Sequence, residues 1–517
     1  MKWLTKLLKP LTSRIFIVSV FLLIQIAFYL VLLIYLNNYI VAVQVILWII
    51  AIILVIYIFN KPGSPSTKLP FVFLLALMPV FGVPFYLFCG NNDVHKHYRK
   101  SMEVSMAKTR ELHIQDPEVS ELLKKKNLKR YHESEYIYRM TNLPVHRNTK
   151  VTYFPSGESV YASLLEDLKK AQHFIFVEFF IIKPGEMWDT VRELLIDKAK
   201  QGVEVRFMYD DIGTAQYLPY RYDKTLMSKG IDCAVFNPFN PRLTVDHNYR
   251  DHRKIVVIDG VIGYTGGFNL ADEYINKIEV FGHWKDSAIK LIGEAVWNET
   301  VIFLENWDFS KKIHSDFSLY TPYKYHPESF SKLNEGFVCP YSDNPLDREL
   351  VGESVYMNMI DHAEKYFWIS TPYLIIDHEL LTSLQLAAKS GVDVRIITPG
   401  ISDDKKYAYL ITRSYYPELV EAGVKIYEYT PGFIHAKNAI SDDEVMTCGT
   451  INLDYRSLYH HFENGVWVYN SVAVKDMKAD FEETLKVSRQ ITMEWCRELP
   501  LWQRLLQIIL KITSPLL

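Results

Sequence analysis

Apolar and polar positions are distributed unevenly along the 517 residues. From 15 to 59 there is no Asp, Glu, Lys, Arg or His, and Asn37 and Asn38 divide this run into 15–36 and 39–59. Crossing a bilayer takes about 20 apolar residues, so the pattern predicts two transmembrane helices joined by a tight turn. The run is too long for the apolar core of a signal peptide, and no small-residue cleavage site follows it. Lys2, Lys6, Lys9 and Arg14 precede the run, and Lys61 and Lys68 follow it without an acid. Positive charge on both flanks places both in the cytoplasm. A third uncharged run, 69–89, is interrupted by Pro70, Pro79 and Pro84, with Gly82 between the last two and Lys96, Arg99 and Lys100 beyond. Prolines free backbone groups that lipid cannot satisfy. The run therefore reads as a re-entrant or interfacial segment, residues 1–92 as a membrane region, and the remainder as a cytoplasmic body.

Residues 93–150 are polar and charge-rich and read as a connector. Beyond them the sequence repeats itself. Lys198-Ala-Lys-Gln-Gly-Val-Glu-Val-Arg206 matches Ala387-Ala-Lys-Ser-Gly-Val-Asp-Val-Arg395, each a helix end, a Gly stop and a buried strand. Apolar strand-like runs at 174–182 and 366–376 each follow a helical pattern. Alternation of strand and helix predicts an α/β fold with a largely parallel sheet. Its two copies, about 151–335 and 336–495, would be related by a pseudo-twofold. In the C-terminal segment, 496–517, Gln503, Arg504, Gln507 and Lys511 form one polar stripe at helical spacing. Leu501, Trp502, Leu505, Leu506, Ile508, Ile509, Leu510 and Ile512 cover the rest. Such a helix either lies in a membrane interface or is buried in the soluble core.

Composition narrows the class. Hydrophobic residues make up 49% and charged residues 23%, which excludes a mainly disordered chain. A net charge of −3 argues against a general nucleic-acid binder. Cys89, Cys233, Cys339, Cys448 and Cys496 are odd in number and far apart, without a CxxC pair, which speaks for reduced thiols rather than disulfides or a structural zinc site.

The chemistry is duplicated as well. His252-Arg-Lys254 leads to Asp259 and then Gly266-Gly-Phe-Asn269, and His435-Ala-Lys437 leads to Asp442 and then Gly449-Thr-Ile-Asn452. The offset is constant, since 435−252, 437−254, 442−259 and 452−269 all equal 183. In a strand, residues i and i+2 share a face, so each His projects with its Lys. Asp259 and Asp442 fall on the opposite face, and Asp259-Gly260 looks like a turn, so these acids are expected to hold strand ends. Ammonium and amide donors suit phosphoryl oxygens. Of two histidines, one can attack phosphorus while the other protonates the leaving oxygen. Asp286 and Glu463 are candidate carboxylates to orient the rings. The acids near the histidines are too few and too poorly spaced to suggest a metal site.

The motif H-x-K-x(4)-D, twice, resembles that of the phospholipase D superfamily, and the whole chain resembles its bacterial cardiolipin synthases. The resemblance extends to the N-terminal hydrophobic hairpin, Pro79-Val-Phe-Gly82, Glu178-Phe-Phe, Tyr209-Asp-Asp-Ile-Gly213, Trp284-Lys-Asp286, Thr371-Pro-Tyr373 and Asn452-Leu-Asp-Tyr-Arg-Ser457. It implies two tandem phospholipase D-like αβα repeats and a transfer through a phosphohistidine, with no metal and no cofactor. The two motifs give His252, Lys254, Asp259, His435, Lys437 and Asp442 as the catalytic set, with Asn269 and Asn452 beside the phosphate. The implied reaction joins two phosphatidylglycerol molecules into cardiolipin and glycerol in the cell membrane, with His252 attacking. A membrane phospholipase D, or a transferase using another lipid, is the alternative. Gly267 and Thr450 stand where the family often has Ser, and Ser287 where it often has Thr.

Overall fold

The computed structural model describes residues 40–61, 64–89, 112–238, 248–326, 330–333, 335–347 and 349–516, with isolated positions at 23, 27, 30, 31, 99 and 102. It divides into two compact units, one containing residues 1–96 and the other most of the rest.

In the first unit, most of the expected helix at 15–36 lies outside the described residues. The expected helix at 39–59 is present as Ile40–Asn60, and its Val41–Asn60 stretch is long and apolar enough to cross a membrane. The run at 69–89 falls in two helices, Pro65–Leu77 and Pro79–Cys89, that break at Met78. At 13 and 11 residues they are each shorter than a bilayer core, about 20 and 17 Å long against roughly 30 Å. Gly82 lets them approach, because a Cβ there would lie 2.8 Å from the Leu74 carbonyl oxygen.

The second unit contains the two repeats, and they match strand for strand. The first sheet runs, in spatial order, Thr149–Phe154, Ala288–Gly293, Ile262–Gly266, Lys254–Ile258, Phe174–Phe179, Glu204–Asp210 and Asp232–Phe236. The second runs Phe337–Asp343, His461–Tyr469, Val445–Gly449, Asn438–Ser441, Tyr366–Ser370, Asp393–Pro399 and Lys425–Tyr429, with Ser488–Ile491 added at the edge. The expectation of a largely parallel sheet needs correction. Only Phe174–Phe179, Glu204–Asp210 and Asp232–Phe236 are mutually parallel in the first sheet, and the other pairings are antiparallel. The strand bearing Lys254 is joined to the next by only three residues, and so short a connection permits only antiparallel pairing.

One apolar core draws on both repeats, with Phe176, Val257, Trp307 and Leu291 from the first and Trp368, Ile440, Met446 and Val468 from the second. The helix Val296–Lys311 is buried along most of its length and contacts strands of both sheets. Residues 112–148 are no free connector. The helices Pro117–Lys126 and Leu128–Thr141 pack on the second repeat, where Trp467 donates its indole N–H to buried Glu133 at 3.0 Å.

Candidate active site

Each histidine lies just past the end of a short strand, and each is held by the other repeat. Arg250–Asp251 pairs in parallel with the start of the strand His461–Tyr469, so that the His252 amide donates to the Phe462 carbonyl at 2.9 Å. Gly432–Ile434 pairs likewise with His283–Lys285, and the His435 amide donates to the Lys285 carbonyl at 2.7 Å. The next residue along supplies the carboxylate in both cases. His252 Nδ1 lies 3.0 Å from Glu463, and His435 Nδ1 lies 2.8 Å from Asp286. The two candidate orienters are therefore exchanged between repeats. Engaging Nδ1 leaves Nε2 of each ring for chemistry.

Lys254 and Lys437 are buried, and each donates to the carbonyl of its own motif's histidine. Burial lowers both lysines, Lys254 to about 8 and Lys437 to about 7, with Asp286 and Glu463 opposing the shift. Burial and Lys437 push His435 down to about 4, against the pull of Asp286. Burial, Lys254 and His461 hold His252 well below the usual histidine range, and the charges of Lys437 and His435 add to the effect, so the two motifs meet electrostatically. The carboxylates differ. Asp286 is held low by His435 and Lys437 in spite of burial, whereas burial drives Glu463 well above its ordinary value despite Lys254. Asp286 is thus biased toward the anion, whereas burial opposes the ionisation of Glu463.

The small residue of each G-x-x-N segment is explained by these carboxylates. A Cβ on Gly267 would lie 2.1 Å from an Asp286 oxygen, so nothing larger fits. Its counterpart Thr450 donates its hydroxyl to Glu463, and Ser457 adds a second hydroxyl at 2.7 Å. The asparagines are unlike. Asn269 accepts from the Ile181 amide and donates to the Tyr274 hydroxyl, whereas the side-chain oxygen of Asn452 is buried without a partner. Asp210, in the Tyr209-Asp-Asp segment, accepts from the Asp251 amide at 3.0 Å and braces the strand that leads into His252.

Asp259 and Asp442 stand apart from the histidines, so the structure separates them from the catalytic set. Asp259 accepts the amides of Gln172, His173 and Phe174, and Asp442 those of Glu364, Lys365 and Tyr366. Both have positive φ, 51° and 57°, as do their successors Gly260 and Asp443, which defines the same tight hairpin turn in each repeat.

His461 was not singled out from sequence. Its ring lies 5.4 Å from that of His252 and its Nδ1 3.6 Å from Glu463, and among the described residues neither ring nitrogen has a hydrogen-bond partner. Trp284 takes the matching place 5.4 Å from His435. Among the described residues, His252, His461 and Glu463 form a group that could hold a metal, assembled from segments too distant for any sequence spacing to reveal. The donor set fits poorly, because Glu463 is engaged by two hydroxyls and His252, and the charges of Lys254 and Lys437 bear on the same centre.

Known proteins resemble this chain. The family model for the cardiolipin synthase phospholipase D-like domain matches residues 164–291 and 356–485, one match in each repeat. A cardiolipin synthase of Alkalihalophilus pseudofirmus is 36% identical over 89% of this chain and 91% of its own length. That of Halalkalibacterium halodurans is 33% identical over 92% and 94%. The chain belongs to the cardiolipin synthase family. An uncharacterized protein of Streptococcus mutans is 42% identical over 90% of the chain. The crystal structure of phosphatidylserine synthase from Haemophilus influenzae covers 74% of the chain and 97% of its own length, with a TM-score of 0.56 at 14% identity, and so shares the fold. Membership of the synthase family makes the chain a phosphatidyltransferase of the phospholipase D type.

Proposed function

We propose that the chain condenses two phosphatidylglycerol molecules into cardiolipin and glycerol at one site built from both repeats. The observation that carries this reading is the pair of histidines, each fixed through Nδ1 by a carboxylate of the opposite repeat. His252 Nε2 attacks phosphorus, an N–P bond forms, the P–O bond to the headgroup glycerol breaks, and His435 gives that oxygen its proton. The terminal hydroxyl of a second phosphatidylglycerol then loses its proton to His435 and attacks the phosphohistidine, which restores His252. Asp286 pulls His435 back toward the imidazolium it needs as an acid, against burial and Lys437, while burial and Lys254 keep His252 uncharged, as a nucleophile must be. Lys254 and Lys437 stabilise the phosphoryl oxygens, with Asn452 positioned to assist. The helix Ile40–Asn60 crosses the membrane, and the broken pair of helices after it re-enters from the cytoplasmic leaflet, where the body lies. The test is the product balance of the purified full chain in phosphatidylglycerol vesicles with EDTA. One glycerol per cardiolipin is expected, and His252→Ala and His435→Ala should each abolish both products. Phosphatidic acid as the main product would make the protein a hydrolase.

A further inference from the structure

The C-terminal helix Leu501–Thr513 is packed the opposite way round from a helix on a soluble protein. Its polar stripe faces the protein. Gln507 is buried, Arg504 and Lys511 are half-buried, and Lys511 pairs with Glu418 at 3.3 Å and lies 4.2 Å above the Tyr415 ring. The apolar residues face outward, with Leu501, Trp502, Leu505, Ile508, Ile509 and Ile512 between 53% and 71% exposed. We propose that this face docks the catalytic unit onto a lipid bilayer.

Two observations select lipid over a second copy of the chain. A helix of 13 residues is about 20 Å long. A bilayer needs no matching partner surface, and a helix of this length is too short to span it and suits its interface. The helix is also continuous with the site. It packs against the helix Lys406–Ser414, and Lys405, immediately before that helix, lies 4.9 Å above the Tyr373 ring and acts electrostatically on His461. Docking here would bring the surface that leads to the histidines to headgroup depth, where a phospholipid can enter without leaving the bilayer.

The experiment uses the full chain, with Cys89→Ser, in phosphatidylglycerol-containing proteoliposomes. Cys233, Cys339, Cys448 and Cys496 are buried. A single bimane label is placed at Ile508→Cys or, as a control, at exposed Lys475→Cys. Lipids brominated on their acyl chains should quench the Ile508 label at least twofold and leave the Lys475 label unchanged. Equal quenching at both positions, or disulfide cross-linking between copies through Ile508→Cys, would overturn the proposal. A second arm rests on the reaction proposed above, which the first arm does not require. Leu505→Glu combined with Ile509→Glu should lower turnover of vesicle lipid at least tenfold and leave turnover of a water-soluble short-chain phosphatidylglycerol unchanged. Full activity of that variant on vesicles would contradict docking.

Discussion

A buried imidazole beside a carboxyl group that its neighbours hold low accepts a proton more readily than one beside a carboxyl group that burial pushes up, and the two half-sites differ in this respect. Asp286→Asn is therefore expected to cost more than Glu463→Gln. Turnover should fall on the order of 100-fold in the first and roughly tenfold or less in the second, with circular dichroism unchanged. Equal losses would mean that the carboxylates act alike. The lysines set the alkaline limit. Their charged forms bind the phosphate, and burial lowers Lys437 to about 7 and Lys254 to about 8. Charge is lost as pH rises through these values, so kcat/KM should decline between pH 7 and 8, and a profile flat to pH 10 would contradict this. The His–Lys pairs are legible in the sequence because the same pattern twice at a constant offset of 183 leaves little room for chance, although the strand expected to carry each histidine begins only after it. The exchange of carboxylates between repeats is not legible, since it depends on how two sheets meet. His461 was missed because a single histidine two residues before an acid carries no spacing signal, although its orphaned nitrogens place it beside the reacting centre.

At the scale of the element, the aspartate of each motif belongs to a turn. Asp259 gathers three backbone amides at the end of a strand, and hydrogen bonds to a charged acceptor are among the stronger ones in a folded chain. Asp259→Ala should cost roughly 3 kcal/mol of stability, read as a lower Tm, while the folded fraction keeps its kcat. Loss of kcat at an unchanged Tm would put the acid in the chemistry. This role was legible from the Asp-Gly pair and from the face on which Asp259 falls. The sheet's direction was misread, because the alternation of strand and helix near 174–236 is parallel, whereas the motif hairpins that follow are antiparallel. In the C-terminal helix the sequence showed the stripe but not which side faced the protein. That is decided by Glu418 and Tyr415, far away in the chain.

The whole molecule is a transferase site assembled from two copies of one fold, with a membrane-type unit ahead of it. The proposed cytoplasmic placement of the body rests on the basic flanks of the apolar runs. An exposed cysteine at Lys475→Cys should resist a membrane-impermeant thiol reagent in intact cells and react after lysis. Labelling without lysis would place the body outside. The central claim is that two repeats contribute one histidine each to a transfer through a covalent phosphohistidine. The most direct measurement is the stereochemical course at phosphorus, followed with a phosphatidylglycerol analogue made chiral by sulfur substitution. Two successive in-line displacements predict net retention of configuration in the cardiolipin formed, and inversion would show a single direct displacement and contradict the account.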